Sequence, residues 1–158
     1  MLFRTVVLVA ALAGFAAQAA PARLTEAQVR GFVARQERAW NAGDLAGFFP
    51  LFTADATFTD QARSKDGRLV VYGTSTVVQA RTQAHRLFGK SKVRETDVVR
   101  AVRIAPDGRS ARVAAVAQSQ ITTAGKTRRF CAETDQTLVL TPQGLRSKGQ
   151  IDTVVTCH

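Results

Sequence analysis

The stretch Val33-Ala-Arg-Gln-Glu-Arg-Ala-Trp-Asn-Ala-Gly-Asp-Leu-Ala-Gly-Phe-Phe-Pro-Leu-Phe-Thr-Ala-Asp-Ala-Thr-Phe-Thr-Asp60 decides the fold. It reads as the end of an amphipathic helix, a stop at Asn41-Ala-Gly43, a short helix capped by Asp44, and a strand that carries Asp60. Upstream, Thr25-Glu-Ala-Gln28 has the spacing of a capping box, in which the Thr hydroxyl and the Gln amide satisfy each other's free backbone N–H groups. Val29, Phe32, Val33 and Trp40 then recur at helical spacing and give the first helix one apolar stripe. Gly43 supplies the left-handed stop, and Pro50 shortens the second helix because it lacks a backbone donor.

Downstream, Ala54 to Gln61 reads as a strand, with Phe58 and Asp60 on one face and Thr57 and Thr59 on the other. Ser64-Lys-Asp-Gly67 is a turn and Leu69 to Tyr72 a short strand. Ser75 or Thr74 is expected to cap a third helix that runs to about Phe88, with Val77, Ala84 and Phe88 inward. Four long strands follow, at about 92–104, 110–123, 127–140 and 145–157, joined at Pro106-Asp-Gly108, Ala124-Gly125 and Pro142-Gln-Gly144. Helices first, then a run of strands with one helix inserted early, is an α+β arrangement. Ala115, Ala117 and Ser119 alternate on one strand and Ala132 and Thr134 on the next. Small residues on the buried face leave either a cavity between helices and sheet or simple close packing.

The first residues are expected to lie outside that fold. Met1-Leu-Phe-Arg4 is a short basic start, Thr5 to Phe15 an apolar run too short to span a bilayer, and Ala17-Gln18-Ala19 a small–x–small cleavage site. The expectation is a signal peptide over residues 1–19, cut after Ala19, and one periplasmic or secreted domain over residues 20–158. Without Arg4 the chain keeps 21 basic and 12 acidic residues, a net charge of +9. The basic residues are scattered along strand ends and hairpins, and no exposed aromatics interleave with them. A nucleic-acid partner is therefore not expected, whereas peripheral contact with an anionic envelope surface is physically reasonable. Two histidines, His85 and His158, are too few to suggest a zinc site, and no nucleophile elbow or Gly-rich phosphate loop is present. Neither a metal nor a cofactor is expected.

Cys131 and Cys157 in an exported domain suggest one disulfide. A hairpin turning at Thr141-Pro-Gln-Gly144 brings them close. The apolar pattern, however, places Phe130, Ala132 and Leu138 on one face and Ile151, Val155 and Cys157 on the matching one, which points the two sulfurs to opposite sides. A β-bulge between the turn and the cysteines reconciles the two readings.

The order helix, helix, strand, strand, helix, four strands resembles the ketosteroid-isomerase-like (nuclear transport factor 2-like, SnoaL-like) superfamily over essentially all of residues 20–158. The most specific part of the resemblance is Asn41-Ala-Gly-Asp-Leu45 with Gly47, Leu51-Phe52, Asp55-Ala-Thr57 and Asp60, and Gly73 before the third helix also fits. The resemblance implies a cone-shaped, strongly bent mixed or antiparallel sheet of about six strands packed on three helices around a small-molecule pocket. It also puts Asp60 where the family's steroid isomerases have their catalytic base. Gln36 stands where those enzymes have a tyrosine donor, Arg81 where a supporting tyrosine would sit, and Glu133 or Asp135 where a late-strand acid assists.

Two of these substitutions weaken the case for steroid-type chemistry, since an amide donates less strongly than a phenol to a developing enolate. The leading expectation is an exported domain that binds a small apolar or amphipathic molecule, with Trp40, Phe58, Tyr72 and Thr134 lining the pocket and no reaction assigned. An isomerase, dehydratase or cyclase that uses Asp60 as general base, with Gln36 and Glu133 or Asp135 assisting, is the first alternative. A homodimeric interaction module of the cell envelope is the second, because fold alone does not decide function.

Overall fold

A computed structural model describes residues 23–157; the expected signal peptide over residues 1–19 lies outside the described residues, as does His158. The chain begins with helix α1 (Glu26–Asn41), closed at its start by the Thr25/Gln28 capping box. Asp44 caps the short α2 (Leu45–Phe48) by accepting from the Gly47 N–H, and Phe49–Leu51 form a 3-10 turn at Pro50. Strands β1 (Phe52–Arg63) and β2 (Leu69–Thr76) precede α3 (Val77–Phe88). Thr76, rather than Ser75 or Thr74, caps α3, because its partner in the box is Gln79. The long strands are β3 (Ser91–Ile104), β4 (Ser110–Thr123), β5 (Lys126–Thr141) and β6 (Gly144–Val155).

All six strands form one open, mixed sheet in the order β2-β1-β6-β5-β4-β3. The β1/β6 pair is parallel and the others are antiparallel. The α+β expectation of about six strands and three helices is met.

Register shifts do the bending. On β3 a shift between Val99 and Ala101 changes which parity faces the helices. Glu95, Asp97 and Val99 are half-buried before it, and Val102 and Ile104 after it pack on the same core. In the β5/β6 hairpin the pairing runs from Thr141↔Gly144 to Leu138↔Ser147 and resumes at Gln136↔Gln150, so β6 carries one extra residue. Gly149 sits there at φ +127°, and a Cβ on it would overlap the Thr57 backbone of β1. Only glycine fits that crossing.

The same extra residue settles the cysteine register. Cys131 pairs with Val155, so Cys157, two residues further on, lies on the side of Cys131, and the disulfide is formed with a Cα–Cα distance of 5.2 Å. Leu138 is fully buried, as its pattern requires, but Phe130 is exposed, because it lies at the far end of β5 from α1.

Two apolar clusters hold the helices to the sheet. In one, Leu24, Val29, Phe32 and Val33 from the α1 end pack on Ala111, Val113 and Leu138. In the other, Leu45, Phe49 and Ala84 are joined by Trp40, Phe48, Phe58 and Phe88. Where the clusters fail to meet, the small side chain of Ala115 leaves space.

Candidate functional site

That space is a cavity of about 350 Å³ between α1, α3 and the bent sheet. Trp40, Phe48, Phe49 and Phe58 form an aromatic wall, in which Trp40 lies 5.0 Å from Phe48 and Phe58 lies 4.9 Å from Phe52, ring centre to ring centre. Val33, Val113 and Ala115 add to its apolar lining. The small-residue reading is thus correct for Ala115 and Thr134, which line the cavity, while Ala117, Ser119 and Ala132 are not among its lining residues.

Of the residues singled out from sequence, the structure brings Gln36, Trp40, Phe58, Asp60 and Thr134 together around this cavity. Gln36 occupies the apolar stripe of α1 and is only 6 % exposed. Asp60 stands at the solvent-exposed rim, where partial burial pushes its carboxyl up. It is paired with Gly73, whose missing side chain leaves room for the carboxylate: a Cβ there would lie 3.1 Å from Asp60 Oδ2.

Three expectations are corrected. Glu133 and Asp135 flank Thr134 on β5, and successive side chains on a strand point to opposite faces. Since Thr134 lines the cavity, these two acids lie on the other side of the sheet, where Asp135 pairs with Arg112 at 2.9 Å. Tyr72 is 62 % exposed on the edge strand β2 and does not line the cavity. Its phenol is raised by burial and by the charges of Asp60 and Asp152.

The acids that do face the cavity are others: Glu37 on α1, Glu95 and Asp97 on β3, and Asp152 on β6, beside Asp60. Glu37 accepts from the Asp97 backbone N–H at 3.2 Å, and Ser119 Oγ donates to Glu95 at 2.5 Å. Asp152 accepts from Thr134 Oγ1 at 2.9 Å and from Gln150 Nε2 at 2.8 Å. Burial raises Glu95 and Asp152 above the usual carboxylate range. Asp97 is pushed up to about 7, chiefly by burial and then by the negative charges of Glu95, Glu37 and Asp152. Its carboxyl makes no hydrogen bond among the described residues.

The sequence shows which of these acids share a strand face, but not which face meets the cavity. In Val93-x-Glu95-x-Asp97-x-Val99 two acids share a strand face with two valines, and in Gln150-x-Asp152 two polar groups follow the same alternation on β6. Among the described residues no group of three or more His, Cys, Asp or Glu side chains is arranged to hold a metal ion.

No family model matches this chain, and neither does any curated protein. Solved structures do match. A ketosteroid isomerase-like protein from Erwinia carotovora superposes with a TM-score of 0.62 at 11% identity, covering 83% of this chain and 96% of the other. An NTF2-like protein of unknown function in nutrient uptake from Rhodospirillum rubrum gives 0.64 at 18% identity, covering 81% of this chain and 98% of that one. A conserved protein from Planctomyces limnophilus gives 0.69 at 14% identity, covering 82% and 95%.

The chain has the nuclear transport factor 2-like fold. In this fold the cavity lies between the helices and the concave side of the sheet, and here it combines an aromatic wall with a row of carboxylates.

Proposed function

We propose that this chain is an exported domain that binds a small amphipathic molecule in its cavity. The observation that carries the reading is the cavity itself: about 350 Å³ of space lined both by the aromatic rings of Trp40, Phe48, Phe49 and Phe58 and by polar side chains. Protein interiors are otherwise closely packed, and an apolar-walled pocket with a few convergent polar groups is the usual form of a small-molecule site. Export rests on the apolar run over Thr5–Phe15 followed by Ala17-Gln18-Ala19, and the Cys131–Cys157 disulfide fits an oxidising compartment.

The test is a native mass spectrum of protein taken from the exported fraction without reducing agent. The expected result is a mature chain that begins at Ala20 and carries a bound small molecule. A chain that retains residues 1–19 would overturn export. A mature chain that stays ligand-free, and gains no thermal stability from any small amphipathic compound, would overturn the binding reading.

A second reading is a proton-transfer enzyme with Asp60 as general base. It is favoured by the raised carboxyl of Asp60 at the cavity rim and by Asp97, a carboxyl that retains a proton near neutrality and is able to donate a hydrogen bond. Glu133 and Asp135 have no part in it. Turnover of an enolisable ketone that is lost in Asp60→Asn, with the fold intact, would establish this reading; the absence of turnover in the parent protein would dismiss it.

A further inference from the structure

We infer that the cavity ligand is an organic cation, a protonated amine attached to an apolar or aromatic body, with its ammonium group held at Asp97. The inference deepens the binding reading above and rests on it.

The first observation is charge segregation. The protein carries a formal net charge of +10, yet five carboxylates and, among the described residues, no Lys, Arg or His line the cavity. The carboxylates converge from four elements: Glu37 from α1, Asp60 from β1, Glu95 and Asp97 from β3, and Asp152 from β6. The cation next to the aromatic wall, Arg81 on α3, stacks on Phe49 at 5.3 Å and is exposed outside the lining. An interior of low dielectric that gathers one sign of charge attracts the opposite sign.

The second observation is the state of the polar groups. Glu37, Glu95 and Asp152 each accept a hydrogen bond from a protein N–H or O–H. Asp97 has no donor of its own and stands among them. Gln36 and Gln136, 6 % and 5 % exposed, both line the cavity, and their side-chain amides make no hydrogen bond among the described residues. Their amide groups are thus open to whatever fills the cavity. Among the described residues, the side-chain atoms buried without a partner are Trp40 Nε1 and Thr53 Oγ1.

A neutral apolar ligand would leave the Asp97 carboxyl and the two amides unpaired and the carboxylates repelling one another. An ammonium group has three donors and one positive charge, which matches a bare carboxylate surrounded by others. Its apolar body would lie against Trp40 and Phe58, and the two amides would meet any further polar atoms.

The charge balance has a consequence. Asp97 holds a proton part of the time near pH 7, with Glu37, Glu95 and Asp152 facing it and Tyr72 and Asp60 toward the rim. An arriving ammonium favours the ionised carboxylate and expels that proton. Affinity for the amine therefore rises with pH up to about 7 and levels off above it.

The experiment uses three compounds with one body: 4-phenylbutylamine, 4-phenylbutanol and 4-phenylbutyrate. Trp40 is the sole tryptophan and lies on the cavity wall, so its fluorescence reports binding directly. At pH 8 the amine is expected to bind at least about tenfold more tightly than the alcohol, because a charge-assisted hydrogen bond is about twice as strong as a neutral one. The carboxylate is expected to bind least. Calorimetry at pH 7 in two buffers of different ionisation enthalpy should show proton release with the amine alone. Asp97→Asn, which removes a charge and is expected to fold, should abolish both the preference for the amine and the proton release while it still binds the alcohol.

If the alcohol binds as tightly as the amine, or Asp97→Asn keeps the preference, the cationic inference falls while the cavity remains a binding site. If none of the three perturbs Trp40 at millimolar concentration, the inference and the binding reading on which it rests fall together.

Discussion

The side-chain amide of Asn41 makes two hydrogen bonds to the backbone of Glu95: its Nδ2 donates to the Glu95 carbonyl at 2.7 Å, and its Oδ1 accepts from the Glu95 N–H at 2.6 Å. β3 is an edge strand, so the backbone groups on its free side have no neighbouring strand to pair with. Asn41, at the last turn of α1, takes the place of that strand at one residue. Glu37 accepts from the Asp97 N–H and Arg30 donates to the Val99 carbonyl at 3.3 Å, so α1 covers the edge along successive odd residues. The helix thereby fixes the strand from which two of the cavity carboxylates project.

Asn41→Ala should therefore act on both stability and site. Two partly buried hydrogen bonds are lost and two backbone groups are left without partners, which predicts destabilisation of about 2 kcal/mol. Chemical denaturation measures this. Amide hydrogen exchange at Glu95 and Asp97 should accelerate more than at β5, because the damage is local to the β3 edge. An unchanged midpoint would show that water replaces the amide at no cost.

The disulfide constrains a different part of the molecule. Cys131 and Cys157 are 26 residues apart in sequence and close the open end of the β5/β6 hairpin. By loop-closure entropy, replacing both with serine should cost about 2–4 kcal/mol. Cys131 points away from the face that bears Thr134, so the cavity should persist: the double variant is expected to melt earlier yet keep its affinity for a cavity ligand measured by Trp40 fluorescence. Loss of binding at a temperature where the fold is intact would contradict that separation.

How far the sequence discloses this site depends on parity. Capping boxes, turn residues and the Asn41–Gly43 stop are local, and they place nearly every element within a few residues of its observed bounds. Phe58 and Asp60 line the cavity as the pattern Phe58-x-Asp60 predicts, because nothing in it competes with that face. Glu133 and Asp135 do not reach the cavity because Thr134 lies between them, and one strand cannot present three successive side chains to one cavity. The acids that count, Glu95 and Asp97, lie before a register shift at Val99/Ala101, and Asp152 lies after the extra residue at Gly149. A shift of that kind reverses the faces of a strand, and it depends on tertiary contacts such as the Gly149/Thr57 crossing, which no short pattern contains.

Filling the cavity separates binding from folding. Ala115→Leu projects three more carbons from the β4 floor into a space of about 350 Å³. Because the space is already there, the cost of overpacking, ordinarily about 1–3 kcal/mol, should be small or absent. Binding of an aromatic amine or alcohol should fall at least about tenfold, since the lost volume must come from the ligand's own apolar contacts. Titration of Trp40 fluorescence, with the thermal midpoint recorded in parallel, measures both. Unchanged binding with an unchanged midpoint would place the ligand elsewhere.

The clearest signature of the buried carboxylates should be the pH dependence of stability. Asp97 is raised from 3.8 to about 7 in the folded chain, so between those values the native state binds more protons than the unfolded one. Stability must then fall as pH rises from about 4 to about 7 and stay level above that. Each pH unit between the two values corresponds to about 1.4 kcal/mol, and relaxation around the charge brings the expected cost at pH 8 to on the order of 2 kcal/mol. Asp97→Asn removes the ionisation while keeping the shape. It should match the parent protein near pH 4 and exceed its stability by that amount at pH 8, with a residual slope from Glu95 and Asp152, whose carboxyls are also raised. Urea denaturation of both proteins from pH 4 to pH 8 decides it: parallel profiles would mean that Asp97 ionises in the folded state as freely as in the unfolded chain.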